Sequence, residues 1–383
     1  MFFNGKKIDF MEARDLDGLL VEKGNACVSI IIPTRLHSRD RMQNPVLVKK
    51  AIRKARGLLE KGAWPKNLVE QLDIKFLTIP ERIDFIHLQE GLAIFVSPNI
   101  LKIFLLPFRV KGKVTVGTTF EIRDIIYCMQ YLKPYYLLTI SKKKIRLFTG
   151  TGQELQEITN SDFPKQYLEE YEYSPPSPGS PPSPALKAFE RDKSIVKETR
   201  LRGFLKDADR ALEKYLREGA MLIVAGVKKE LADFEQTSHH LAKLSGKIPG
   251  NYDFDAVRPL AENAWKRIQY LVKKSQRDLL AKADEELGRG RLISGITHVW
   301  REACNGNGSV LLLERDYQVA AYLNPGDSSE ILITPPSGLY GFVPDATNDL
   351  IEIVRGKGGR VTIYENGQLS KYGHIALLLR HPI

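Results

Sequence analysis

The sequence predicts a mixed α/β (α+β) protein built from three consecutive α/β domains. Three observations carry that prediction. At 383 residues the chain exceeds what one ordinary hydrophobic core organises. Short apolar runs of strand length alternate along it with longer stretches whose apolar residues recur at helical spacing. A Pro/Ser run, Ser174-Pro175-Pro176-Ser177-Pro178-Gly179-Ser180-Pro181-Pro182-Ser183-Pro184, breaks the middle segment, and six of the chain's 21 prolines fall within it. Proline fixes φ and removes an amide donor, so such a run joins neither a core nor a sheet ladder.

In the first segment, 1–132, CVSIII reads as a buried strand closed by Pro33. Residues 45–61 place Val48, Ile52, Ala55 and Leu59 on one helical face and Lys49, Lys50, Arg53, Lys54 and Arg56 on the other. GLAIFVSP, LKIFLLPF and KVTVGTTF are three strand-like runs, and 121–131 reads as a closing helix. In the second segment, 133–253, YYLLTIS and IRLFTG form a hairpin around Lys142-Lys143-Lys144, with QELQEI as a third strand. After the Pro/Ser run, a helix over 187–218 carries an apolar stripe of Leu201, Leu205, Ala208, Leu212 and Leu216. The strand AMLIVAG and the helix VKKELADFEQTS follow. In the third segment, 254–383, Asp253 or Asp255 is expected to cap a helix over 256–287 with Leu260, Ala264, Ile268, Leu271 and Leu279 inward. SVLLLE and QVAAYL are expected strands around a turn at Arg315-Asp316-Tyr317. Asp345 caps DATNDLIEIVRGKGG, whose glycines stop the helix. VTIY, the turn Asn366-Gly367 and IALLLR close the chain.

Composition narrows the function. The net charge of +11 favours a polyanionic partner. Cys27, Cys128 and Cys304 are too far apart for a disulfide framework or a metal pattern, which fits a reducing cytoplasm and core positions. No apolar run approaches the ~20 residues that span a bilayer, and MFFNGKKIDF lacks a signal-peptide apolar region. None of the seven histidines stands in a metal motif; the His239-His240 pair is read as a surface or cap feature. Nucleophile elbows and phosphate-binding glycine loops are absent, and Gly356-Lys357-Gly358-Gly359 reads as a helix stop. The expectation is therefore no catalytic residue, no metal and no cofactor. What remains are basic surfaces suited to phosphate contact: Lys49, Lys50 and Arg53 on the first helix; Lys142, Lys143, Lys144 and Arg146 projecting from the hairpin tip; and Arg191, Lys193, Arg200, Arg202 and Lys206 after the Pro/Ser run.

The order of these segments resembles the archaeo-eukaryotic release factor and Pelota superfamily, above all its bacterial members. CVSIIIPT and GLAIFVSPNILKIFLLPF carry the likeness in the first segment, YYLLTISKKKIRLFTG and EGAMLIVAG in the second. GSVLLLERDYQVAAYL and DATNDLIEIVRGKGGRVTIYENGQLSKYGHIALLLR carry it in the third. The resemblance implies a tRNA-shaped monomer that enters the ribosomal A site. The first domain would face the decoding centre and the second would reach the peptidyl-transferase centre. The third would contact the ribosome or a partner protein such as a translational GTPase. Ribosomal RNA, and tRNA beside it, are the implied partners.

The departures are as informative as the likeness. Release factors carry Gly-Gly-Gln in the tip loop of the central domain. Here Ser174, Pro175, Pro176, Pro178, Gly179, Pro181, Pro182 and Pro184 fill that loop, and no Gly-Gly-Gln occurs in the chain. Gly150-Thr151-Gly152-Gln153 is similar but falls at a strand-to-strand turn. The stop-codon-reading Asn-Ile-Lys-Ser motif is also absent. The expected function is a non-hydrolysing, ribosome-binding factor in rescue, a stalling response or hibernation. Two other readings stay open: a peptidyl-tRNA hydrolase or nuclease with an unrecognised site, and a protein-interaction module that uses its Pro-rich loop.

Overall fold

The computed structural model describes the chain except residues 1, 4–5, 8–12, 38, 168–198, 218, 253–256 and 383. The Pro/Ser run, Arg191, Lys193 and both expected caps, Asp253 and Asp255, therefore lie outside the described residues. The architecture is mixed α/β, in two compact units: Leu132–Lys274, and Met1–Tyr131 together with Ser275–Ile383.

In the larger unit the N-terminal segment opens with the short strands β1 (Phe2–Phe3) and β2 (Lys6–Lys7) and the helix α1 (Ala13–Val21). Its main sheet is antiparallel. β3 (Cys27–Pro33) and β4 (Gly91–Val96) lie at its centre, flanked by β5 (Leu101–Leu106) and β6 (Lys113–Gly117), in the order β5-β4-β3-β6. Both central strands are buried on both faces, which is why they read as unbroken apolar runs. Val28, Ile30, Leu92 and Ile94 pack under α2 (Asn44–Lys61) and α3 (Lys66–Arg82). The stripe expected on α2 is buried as read, and Pro45 occupies the first turn, where its missing amide costs nothing. No pattern flagged α3, because Pro80 sits within it and only Leu72, Phe76 and Ile79 of its apolar residues are buried. Arg56 ties the two helices, 2.7 Å from Asp73.

The C-terminal segment contributes the end of α7 (Val257–Leu287), then β13 (Leu292–Ser294), α8 (Ile296–Cys304) and β14 (Gly308–Glu314). β15 (Ala321–Asn324), β16 (Asp327–Leu332), β17 (Gly341–Val343), α9 (Ala346–Gly356), β18 (Arg360–Tyr364) and β19 (Ile375–Leu379) follow. The main sheet runs β13-β19-β14-β18, and a second, three-stranded sheet runs β16-β15-β17. β14 and β15, joined by Arg315-Asp316-Tyr317, belong to different sheets. β18 and β19, joined through Asn366-Gly367, do not pair; β14 lies between them, parallel to β18 and antiparallel to β19. Asp345 caps α9 as read, its Oδ1 accepting from the Thr347 amide at 3.1 Å, and Gly358 takes a positive φ of 75° just past the helix.

These two segments are joined through α4 (Arg123–Tyr131). Arg123 is buried at 2% exposure. Its Nη1 donates to the Tyr317 carbonyl at 2.6 Å, and its Nη2 donates to Asp345 Oδ2 at 2.8 Å and to the Thr347 hydroxyl. Arg315 answers from the other side, its Nε and Nη2 donating to Asp124 at 3.1 and 2.8 Å while its guanidinium lies over the Tyr127 ring. Asn348 bridges backbone groups of Phe120 and Ile122. Gln130 and Gln276 both donate to the Ile363 carbonyl.

An acidic cluster lies at the same seam. Burial, with Glu352, Asp345 and Glu121 nearby and only Lys23 opposing, pushes Asp349 from 3.8 up to about 7. Lys113 pairs with Glu121 and lies 3.8 Å from Asp345. The folded state thus holds a proton on Asp349 that the unfolded chain releases near pH 4, and stability falls as pH rises from there through 7. Asp349→Asn is expected to stabilise the protein at pH 8 by on the order of 2 kcal/mol, after discounting for its partial exposure, with the gain reduced to less than half near pH 5. Urea unfolding at the two pH values checks this; equal midpoints for both proteins at pH 8 would contradict it.

The smaller unit is one six-stranded sheet. β7 (Tyr135–Ile140), β8 (Lys144–Thr151) and β9 (Glu154–Ile158) are antiparallel neighbours, and β10 (Lys165–Gln166) joins the free edge of β8. β11 (Met221–Gly226) and β12 (Leu244–Pro249) extend the other side in parallel with β7. The helix α5, described over 199–212, and α6 (Lys228–Thr237) connect them. Leu205, Ala208, Leu212 and Leu216 are buried with Leu138, Ile145, Val224 and Phe234, so the stripe read from the sequence is the inward face. Leu201 is half-buried.

Candidate nucleic-acid interface

The central sheet places its cations at one end. β7, β11 and β12 run parallel, and their carboxyl ends at Ile140, Gly226 and Pro249 share one edge of the unit. In open α/β sheets this edge is where ligands bind, because strands end there and helices begin. The β7–β8 turn stands on it. Ser141 pins that turn: its Oγ accepts from the Lys143 and Lys144 amides at 3.3 and 3.0 Å and donates to the Lys144 carbonyl at 3.0 Å. Lys142 and Lys143 are left exposed and Lys144 half-buried. The segment holding the Pro/Ser run departs from the same place, since the Tyr167 amide donates to the Lys143 carbonyl at 2.8 Å. The Tyr167 ring packs, tilted, at 5.4 Å from that of Phe204, which brings the start of α5 close to the β7–β8 turn.

Most of the cations expected at this edge are solvent-facing. Arg200, Arg202 and Lys206 are exposed on α5. Arg146 is a correction. It does not project from the tip; it is 7% exposed on β8, forked onto Glu157 at 2.9 and 2.6 Å and seated over the Phe148 ring. That hydrogen-bonded fork holds the Glu157 carboxyl below its ordinary range. A guanidinium so engaged is not offered to phosphate. Two cations missed in the sequence join the edge instead: Lys228 and Lys229, exposed at the start of α6 directly after β11. The signal was present as a Lys-Lys pair following a buried strand. Lys49, Lys50 and Arg53 are exposed on α2, in the other unit.

Other candidates acquire structural roles. His239 and His240 clasp α5. The buried Asp209 accepts from the Ser238 hydroxyl and the His239 amide at 2.5 and 2.9 Å and lies 3.1 Å from His239 Nδ1; His240 Nε2 lies 3.1 Å from the Asp209 carbonyl. Cys27 and Cys128 are core residues, and burial pushes the Cys27 thiol up to about 12, far from a reactive thiolate. Cys304 is only half-buried, contrary to the expected core position. Gly150-Thr151-Gly152-Gln153 occupies the β8–β9 turn, at the end of the sheet opposite the lysines.

The fold and this edge define a mixed α/β protein that gathers cations where its central parallel strands end. Residues 134–307 match the model for bacterial archaeo-eukaryotic release factor family 3. The matched span covers the central sheet with its cationic edge and the beginning of the C-terminal segment, and over it the chain is similar to that family. Among solved structures, the chain is similar to Saccharomyces cerevisiae Dom34, described as a translation termination-like factor (11% identity, TM-score 0.38, covering 77% of this chain and 74% of that one). It is also similar to Archaeoglobus fulgidus Pelota (14%, TM-score 0.35, 76% and 80%) and to an archaeal Pelota described as ribosome-bound with ABCE1 (12%, TM-score 0.39, 99% and 97%). No curated protein matches the sequence.

Proposed function

We propose that this protein is a ribosome-associated translation factor. It occupies the A site by shape and charge, acting in ribosome rescue, a stalling response or hibernation without hydrolysing peptidyl-tRNA. The observation that carries this reading is the cationic edge of the central sheet, which falls within the span matched to the release factor family. Lys142, Lys143 and Lys144, with Lys228, Lys229, Arg200, Arg202 and Lys206, supply phosphate contacts; Lys49, Lys50 and Arg53 supply a second set. Such contacts give affinity without base specificity. The net charge of +11 and the absence of Gly-Gly-Gln from the chain support the same reading. On it, the segments 1–132, 133–253 and 254–383 are three domains of a cytoplasmic monomer whose partners are ribosomal RNA, tRNA and a translational GTPase.

Co-sedimentation with ribosomes over a salt series tests the reading. Association is expected at about 50 mM salt and falls steeply by about 200 mM, as counterion release requires. Lys142→Ala/Lys143→Ala is expected to lower the slope of log affinity against log salt by about two while leaving the melting temperature unchanged. Protein that stays free of ribosomes at every salt concentration would refute the proposal.

A further inference from the structure

We infer that a cleft in the C-terminal segment binds a phosphorylated small molecule of nucleotide type, at a site separate from the cationic edge of the central sheet. The cleft has a volume of about 450 Å³, within the range of small-ligand pockets. Its floor comes from sheet register. Val310 of β14 sits opposite Arg360 on β18 and Leu378 on β19, so the three form one row across the sheet. Leu279 and Ala283 of α7 pack against Val310 and Leu378, and the space is bounded by this row, by Leu279, Lys282 and Glu286 of α7, and by Arg380.

The rim is cationic. Lys282 on α7, Arg360 on β18 and Arg380 after β19 all line the space. Among the described residues no carboxylate lies within 4.0 Å of any of these three side chains. Arg380 is already positioned. Its Nε donates to the Gly308 carbonyl at 3.2 Å and its Nη2 to the Lys357 carbonyl at 2.8 Å, which leaves Nη1 for a ligand. The one acid on the wall, Glu286, is neutralised by Arg289 at 2.7 Å and faced by Arg291 at 3.8 Å. Three cations without counter-charge, converging beside an apolar floor, suit a ligand with phosphate at one end and a flat apolar body at the other. A bare polyphosphate would leave the floor unused. A continuous RNA backbone would sit on a convex ridge of charge and not in an apolar-floored hollow.

Titration calorimetry on the full-length protein tests this with ADP, GDP, inorganic pyrophosphate and a single-stranded RNA 12-mer as probes. A nucleoside diphosphate is expected to bind in the micromolar to submillimolar range, at least tenfold more tightly than pyrophosphate. Lys282→Ser/Arg360→Ser is expected to weaken it by at least tenfold, because a charge-assisted contact of this kind is worth about that factor. Both residues are exposed, and unchanged melting and circular dichroism confirm that the variant folds. Lys142→Ala/Lys143→Ala should leave nucleotide binding unchanged. Failure of both nucleotides to bind would overturn the inference, as would binding insensitive to the cleft variant. Pyrophosphate matching ADP, or RNA alone responding to the variant, would overturn it equally. Ribosome co-sedimentation by the cleft variant separates this result from the fate of the translational reading.

Discussion

Replacing Arg123 with alanine is expected to destabilise the larger unit by about 3–5 kcal/mol, the range found when one partner of a buried ion pair is removed. The reason lies in what the guanidinium satisfies. It spans the first and last segments of the chain, bonding the Tyr317 carbonyl, Asp345 and the Thr347 hydroxyl from a site 2% exposed to solvent. Without it the Tyr317 carbonyl and the Asp345 carboxylate lose their strongest donor at the start of α9. Arg123→Lys restores the charge but not the fork, and is expected to recover less than half of the loss. Chemical unfolding measures both. Asp345→Ala should couple to Arg123→Ala in a double-mutant cycle by more than 1 kcal/mol. Additive effects would show that the contact does not hold the segments together.

The second large effect falls on Gly150. A side chain there would bring Cβ within 2.5 Å of the Tyr135 ring and 2.7 Å of Leu155, and both neighbours are fixed by pairing in the sheet. Gly150→Val is therefore expected to cost at least about 1–3 kcal/mol through overpacking. The Tyr135 hydroxyl donates to the Gly152 carbonyl at 3.1 Å, and Gly152 holds a φ of 59° that glycine adopts readily. Both glycines are thus explained by packing and turn geometry. Gln153 is exposed and should tolerate alanine without loss of stability. Assays of peptidyl-tRNA cleavage provide the sharper comparison. No turnover is expected from the wild type or from Gln153→Ala. Turnover abolished by Gln153→Ala with stability intact would assign this turn a hydrolytic role and displace the non-hydrolysing reading.

These two sites differ in how visible they were beforehand. Gly150-Thr151-Gly152-Gln153 was legible as a strand-to-strand turn, because a turn is a local matter of a few residues. The buried strands β3, β4 and β14 and the stripes on α2 and α5 were legible for the same reason. Periodicity and apolar runs record burial directly. The role of Arg123 was not legible. It stands among ordinary helix residues, and its partners lie about 190 to 220 positions away, a separation that no local pattern encodes.

By itself the sequence determined the class of the fold, many of its buried strands and amphipathic helices, the excess of positive charge and the absence of Gly-Gly-Gln from the chain. Tertiary structure decided which strands pair and which charges are available. β14 separates β18 from β19 despite the Asn-Gly turn between them, because a closing strand gains more from a central partner buried on both sides than from its chain neighbour. Arg146 turns inward to Glu157, while Lys142, Lys143, Lys228 and Lys229 come together at the end of three parallel strands. Composition counts every cation equally. Only the fold determines which are spent on internal carboxylates and which remain for a phosphate.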